Sequence, residues 1–504
     1  MPLVGKIESL EPYMLGEHEE RLLGAAIYEG LVCYDEEKRE MKPLLAKSWD
    51  YSQDGRILTI KLKRDIKFHN GKKLTAAYVK SAWEHSLSSC KDWTNTGLFL
   101  SIAGTRERLE GQSPEIYGIR VINDHTLKIG FQHPNTSFIY TLANPMFWVY
   151  DCQTDPVNLS GTGPFILKNN QNNRQFTLLR NEEYHRGKPP LSAIKFEIYE
   201  DMTRAAEDFK AGKLDYLDQA PMEEIKELRQ SKGTDCKLIQ KPVLETYSLG
   251  FNLNRQPFLN NYLLRRALNY AIDRKTIAEK VLGENGIPLN RVLLPGINGY
   301  DRHVRGYSFS PEKARQLMDE AGYPDGKGLP PLVIGYDQDE GHQAVLEMLA
   351  EQLEQIGVRV QLQPMDWDYY KKEIGKMEMS CFRVGWQADY PEADAFLYSL
   401  YHSSRLGISN YYAYNNPQLD KILDQSRCEP ADSEKRAALL KRAEKIIIDD
   451  APCLWLFQKK AAKLTGPGVE CLEIDKLELI DWSKVELHNP SLDENHEGKS
   501  LPQV

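Results

Sequence analysis

The chain has 504 residues, too many for one hydrophobic core, and should divide into two or three domains. Its composition, 41% hydrophobic and 10% aromatic, supplies enough apolar matter for packed cores and excludes a disordered chain. A formal net charge of −9 argues against a nucleic-acid surface, and no apolar run approaches the ~18 residues that a membrane span needs. Met1–Lys6 carries no signal-like apolar stretch, so the chain reads either as cytoplasmic or as an exported protein whose signal has been removed.

Near the start, Ala25–Val32 is a short apolar helix or strand interrupted by Gly30. Asp54-Gly55 stands between the alternating runs Ser48–Tyr51 and Ile57–Lys63 and predicts a hairpin. A helix is expected from Thr75, which would cap it, with Val79, Trp83 and Leu87 on one face. With the strand Leu127–Phe131, this block reads as a small α+β domain ending near residue 150. Gly161-Thr162-Gly163-Pro164 lacks the Lys and Ser/Thr of a phosphate loop and reads as turn punctuation before a strand.

Strands follow at Phe176–Leu179 and Ile194–Tyr199, then a helix from Thr203 to Ala211 stopped by Gly212, then a strand Leu214–Leu217. Strand, helix, strand in that order predicts a parallel crossover. From about 245 the pattern is strongly α/β. Asn260 or Asn261 caps one helix, Asp273 the next, and Ser310-Pro311 opens a third that ends at Gly322. Leu332–Tyr336, the helix Gly341–Ile356 and Val358–Leu362 form a second crossover. Residues beyond about 485 read as a loose acidic tail.

Cys381–Pro391 is the most informative stretch. A strand of apolar and small residues runs into a turn, with Arg383 and Asp389 six residues apart and Trp386 between them. Residues an even number apart share a face while the run stays extended, over roughly 20 Å. The pattern suits a zwitterion: a carboxylate on Arg383, an ammonium on Asp389, flat apolar matter on Trp386. It equally suits a buried strand with a flanking salt bridge.

Eight cysteines (33, 90, 152, 236, 381, 428, 453 and 471) include no CxxC pair, so neither zinc spacing nor a disulfide framework is expected, and free thiols fit a reducing compartment slightly better than an oxidising one. No HExxH, close histidine pair or GxSxG elbow is present, and His185 and His402 read as lone surface or loop residues. Asp394 is expected to cap the helix carrying Phe396, Leu397 and Leu400. No catalytic constellation, cofactor cradle or metal centre emerges; the chain reads as a binder, not an enzyme.

Four stretches together resemble one family: Tyr28-Glu29-Gly30-Leu31 with Pro43–Trp49; Phe68–Ala76; Gly161–Phe165; and Arg265–Asp273. With Gly385-Trp386 and Asp389 they stand in the order found in the extracytoplasmic solute-binding proteins of peptide-type ABC importers, solute-binding family 5. The resemblance implies an α/β, two-lobed periplasmic-binding-protein fold of type II, in its three-domain peptide-binding subclass. Domain I would comprise 1–34, 152–241 and 462–504, domain II 35–151 and domain III 242–461; the breaks near 150 and 245 also come from the residue pattern. It further implies a peptide held extended between domains I and III by strand-like main-chain bonds, then delivered to permease subunits in the membrane. Asp389 would take its ammonium and Arg383 its carboxylate. Gly385, Trp386 and Gln387 would offer backbone and stacking surface, and Glu17, His18 and Tyr247 would line the site. The expected protein is extracytoplasmic and monomeric, without cofactor, metal or nucleic acid. The alternatives are a cytoplasmic ligand-sensing domain of a transcription regulator, and a binder of a non-peptide solute such as a nickel chelate, haem or a sugar.

Overall fold

The computed structural model describes every residue except 8, 90–95, 155–158, 172–173, 219–224, 226, 228–235, 284 and 489–504. Two α/β lobes are joined by the two longest strands, Lys237–Phe251 and Cys453–Thr465, which run antiparallel side by side. Their register slips between Pro242 and Thr246 and again between Tyr247 and Ser248, so the ladder is broken where the chain passes between lobes. Such irregularities bend and twist a strand pair.

In the second lobe, one seven-stranded sheet carries the order Tyr216–Leu217, Cys453–Thr465, Lys237–Phe251, Cys381–Gln387, Leu332–Asp337, Val360–Met365, with Gly286–Pro288 attached to Cys453–Thr465. The predicted crossover is present here: Leu332–Asp337 and Val360–Met365 are parallel, connected by the helix Glu340–Glu354. Val345, Leu349 and Leu353 face the core, one helical turn apart. The helices Tyr262–Tyr270, Arg274–Lys280 and Pro311–Glu320 start at Asn261, Asp273 and Ser310, whose side chains accept from the first-turn amides.

The first lobe is built on a four-stranded sheet ordered Pro2–Val4, Ala193–Tyr199, Gln175–Arg180, Phe165–Gln171, packed against the helix His18–Ile27. The crossover expected around the helix Met202–Lys210 is not formed. Ala193–Tyr199 pairs antiparallel with Gln175–Arg180, whereas Tyr216–Leu217 joins the other sheet, antiparallel to Leu464 and Thr465. Periodicity locates strands, but it does not say which sheet a two-residue strand completes. The glycines of Gly161-Thr162-Gly163 have a specific role: a Cβ on Gly161 would lie 2.0 Å from the Ile27 carbonyl oxygen, and one on Gly163 2.6 Å from it. The strand start lies directly on that helix end, and the Gly163 amide donates to the Ile27 carbonyl at 2.9 Å.

The α+β segment folds as its pattern dictates. Ala46–Tyr51 and Ile57–Leu62 form the hairpin, turning at Gly55, and Val79, Trp83 and Leu87 are buried on the helix Ala76–Ser89. Thr75 begins that helix through its carbonyl, which accepts from the Val79 amide. The core of this segment continues into that of the second lobe: Phe138 and Phe147 share one apolar cluster with Phe396, Leu397 and Trp455. No helix among the described residues is long and apolar enough to cross a membrane.

Candidate functional site

The strand Cys381–Gln387 runs antiparallel beside Lys237–Phe251, with Gly385 opposite Tyr247 and Gln387 opposite Glu245. Alternation divides its side chains. Phe382, Val384 and Trp386 pack on the core shared with the α+β segment, and the Trp386 indole donates to the Ala395 carbonyl at 3.0 Å. Cys381 belongs to the core of the second lobe, and Arg383, Gly385 and Gln387 lie on its side of the strand. The Trp386 ring is therefore on the opposite face from Arg383.

Arg383 already has an anion. Its Nε donates to Asp337 Oδ1 at 2.9 Å, its Nη2 reaches the same oxygen, and His342 Nε2 lies 3.4 Å from Asp337 Oδ2. The guanidinium stands over the Tyr247 ring, 5.7 Å from its centroid. Burial alone would raise the Asp337 carboxyl; His342 and Arg383 outweigh it and hold it well below the usual range. Tyr247 is buried and stacks on Phe457, with ring centroids 4.7 Å apart.

Asp389, two residues past the strand, differs. Its backbone carbonyl accepts from Asn144 Nδ2 at 3.1 Å, but among the described residues its carboxylate makes no hydrogen bond and no ion pair. Burial pushes its pKa up to about 6, against the pull of Arg405 and Arg21. Neither guanidinium is neutralised by a carboxylate among the described residues. Arg21 Nη2 donates to Gln387 Oε1 at 2.5 Å and Arg405 Nη1 to the Gly97 carbonyl at 3.3 Å, while the Nε of each is buried without a partner. Burial, then the neighbouring Arg427, lowers the Arg405 pKa. Arg427 itself is closed by Asp394 at 2.6 Å and stacks on Tyr398. Thus the first-lobe helix, the Cys381–Gln387 strand and the turn after the helix Asp394–Tyr401 bring one unpaired anion and two unpaired cations together.

His18 lies in a different network. Its Nε2 is 2.5 Å from Asp218 Oδ2, and Lys463, only 1% exposed at its side chain, contacts both Asp218 and Glu478, the latter at 2.9 Å. Tyr216 donates to Asp218 at 2.9 Å. Burial opposes ionisation of Asp218, but His18 and Lys463 together keep its carboxyl well below the ordinary value. Glu17 is exposed at the start of the helix, where its amide donates to the Glu20 carboxylate at 3.2 Å.

Several side chains depart from their expected roles. Asp394 does not cap its helix: the Glu392 carboxylate accepts from the Asp394 amide at 2.6 Å, and Asp394 is an ion-pair partner instead. His185 and His402 are not lone. His185 is 2.8 Å from Glu29, and buried His402 accepts from the Ser404 amide at 3.0 Å. Seven cysteines are free thiols, and Cys90 lies outside the described residues, as does the tail beyond 488. Glu470, Glu486 and His488 form a group with metal-ligand spacing on a short ribbon of the first lobe. Sequence reasoning missed Arg21 and Arg405. Arg21 sits three residues after His18 on one helix, a spacing that shares a face; Arg405 carries no local pattern.

A bilobed molecule with unpaired charges converging where the lobes meet is a solute-binding protein in its architecture. The model of the bacterial extracellular solute-binding proteins, family 5 (middle region) matches residues 40–407. The chain belongs to that family. It is 28% identical over 447 residues to heme-binding protein A of Haemophilus influenzae, covering 84% of this chain and 80% of the relative. It is 27% identical over 476 residues to the oligopeptide-binding protein OppA of Bacillus subtilis, covering 88% and 85%. Among solved structures, the Escherichia coli murein tripeptide binding protein MppA superposes with a TM-score of 0.78 at 26% identity, over 96% of this chain and 97% of that one.

Proposed function

We propose that the protein is an extracytoplasmic receptor that encloses a short peptide between its lobes and presents it to the permease subunits of an ABC importer. The observation that carries this reading is the half-buried Asp389 carboxylate, unpaired among the described residues, at the lobe junction. A carboxylate partly withdrawn from water without a counter-ion is costly to keep, and an α-ammonium is the partner that relieves it. Peptide as the guest is supported by relatives whose names specify an oligopeptide and a murein tripeptide. Gly385 and Gln387 offer the guest backbone and amide groups. Glu17, His18 and Tyr247 shape the surrounding walls, Arg383, committed to Asp337, stiffens one of them, and Trp386 backs the strand from its core side rather than offering the expected stacking surface. The lobes are drawn at 1–34 with 152–241 and 462–504, and at 242–461, with 35–151 as the inserted domain, in line with the register slip at Pro242. The receptor works as a monomer, needs no cofactor or metal, catalyses no reaction and does not bind nucleic acid.

Native mass spectrometry of the protein as purified, with fragmentation of whatever it releases, tests the reading. A peptide is expected. A haem, sugar or nickel chelate released in its place would replace the guest while leaving the receptor role.

A further inference from the structure

The charges around Asp389 do not balance. Neighbouring guanidiniums among the described residues are closed by carboxylates: Arg383 by Asp337, Arg427 by Asp394 at 2.6 Å, and Arg436 by Glu392 at 2.8 Å. What remains open around Asp389, among the described residues, is its own carboxylate and two guanidiniums, Arg21 and Arg405. Both arginines bear a buried Nε–H with no acceptor, as the ion-paired Arg436 also does, but unlike Arg436 neither has a carboxylate partner among the described residues, and both lie near enough to act on the Asp389 charge. Buried donors on a charged group are seldom left orphaned, because the desolvation is then unrecovered. The acceptors missing here are anionic oxygens, for which a guanidinium is the geometric match.

They come from two lobes. Arg21 belongs to the first-lobe helix His18–Ile27, Arg405 to the turn Ser403–Arg405 beyond Asp394–Tyr401. Each is fixed by a neutral oxygen only, the Gln387 amide and the Gly97 carbonyl. A guest with a single carboxylate satisfies one guanidinium and leaves the other half-buried without a counter-ion. We propose that the preferred guest is an acidic di- or tripeptide, its ammonium on Asp389 and its two carboxylates shared between Arg21 and Arg405. This rests on the peptide-receptor reading and narrows it, since a receptor indifferent to side chains needs no second cation.

Calorimetric titration at pH 7 of protein stripped of bound ligand, with Ala-Glu, Ala-Ala and Ala-Lys and the corresponding tripeptides Ala-Glu-Ala, Ala-Ala-Ala and Ala-Lys-Ala, tests it. The acidic peptide of a set should bind at least about tenfold tighter than the neutral one, with the basic one weakest, as one extra charge-assisted contact dictates. Arg405→Gln and Arg21→Gln should each bring the acidic-to-neutral affinity ratio close to one, and Arg405→Lys should keep part of it. Melting curves separate these effects from unfolding. Equal affinity for acidic and neutral peptides overturns the proposal and leaves the peptide receptor standing; binding of none of the six overturns both. A preference that persists undiminished in both glutamine variants also overturns it.

Discussion

Arg21 donates to the side chain of Gln387 at 2.5 Å across 366 residues of sequence, joining the first-lobe helix to the strand that ends beside Asp389. The bond links the two lobes, so it would have to break for them to separate. Hydrogen bonds to a charged group contribute about 1.5–3 kcal/mol. Gln387→Ala should therefore weaken guest binding about tenfold, chiefly through faster dissociation. Stopped-flow release measured beside the melting temperature checks this; an unchanged off-rate would show that the bond does not hold the cleft shut.

Asp389→Ala is expected to lower affinity for a peptide by at least about tenfold, since one lost charge-assisted contact corresponds to ~1.5–3 kcal/mol. The fold should survive, because among the described residues the carboxylate anchors nothing. Titration calorimetry and a melting curve on the same preparation decide it, and wild-type affinity in a folded variant would remove Asp389 from the ammonium site.

The same residue sets a pH dependence of stability. Withdrawal from water raises the Asp389 carboxyl of the ligand-free folded protein to about 6, above the ~3.9 of an aspartate in an unfolded chain. The folded state thus binds more proton between these values, and the contribution of Asp389 to stability falls as pH rises through that interval. Asp389→Asn should then raise the melting temperature of the ligand-free protein at pH 7 and leave it nearly unchanged at pH 3.5. Peptide affinity of the wild type should in turn fall as the pH drops below about 6, as the site becomes neutral. A flat affinity profile from pH 7.5 to 5 would contradict this.

Arg436 and Glu392 form an ion pair in which both side chains are 0% exposed. Burial raises the Glu392 carboxyl, and Arg436 opposes that. Removing one partner of such a pair strands the other, at a cost of about 3–5 kcal/mol. Arg436→Met should accordingly destabilise the protein by that order in urea unfolding, while Arg436→Met/Glu392→Leu recovers only part of the loss, because Glu392 also accepts from the buried Asp394 amide.

Gly163 touches the Ile27 backbone, and Gly163→Ala should cost about 1–3 kcal/mol through overpacking. Thermal unfolding measures it; a melting temperature equal to wild type would mean that the helix end yields without strain.

Local rules carried the reading of the chain a long way. The hairpin at Asp54-Gly55, the face of Val79, Trp83 and Leu87, the caps Asn261, Asp273 and Ser310, and the parallel unit around Glu340–Glu354 all follow from local patterns, the widest of them reaching from Leu332 to Val360. The misreadings have one cause. Tyr216–Leu217 joins a strand some 250 residues away, Asp394 pairs with Arg427 rather than capping, and His185 meets Glu29, 156 residues before it.

The amino-acid order by itself determined the periodicities, the turns and caps, and a segment holding a cation, an indole and an anion. The tertiary structure alone decided which charges stay open. Arg383 is answered by Asp337, 46 residues before it, while Asp389 is left with Arg21 and Arg405 from opposite lobes. Local spacing fixes which side chains share a face, but neutralisation depends on which charges come within about 4 Å, and in this protein only the packing of two lobes sets that.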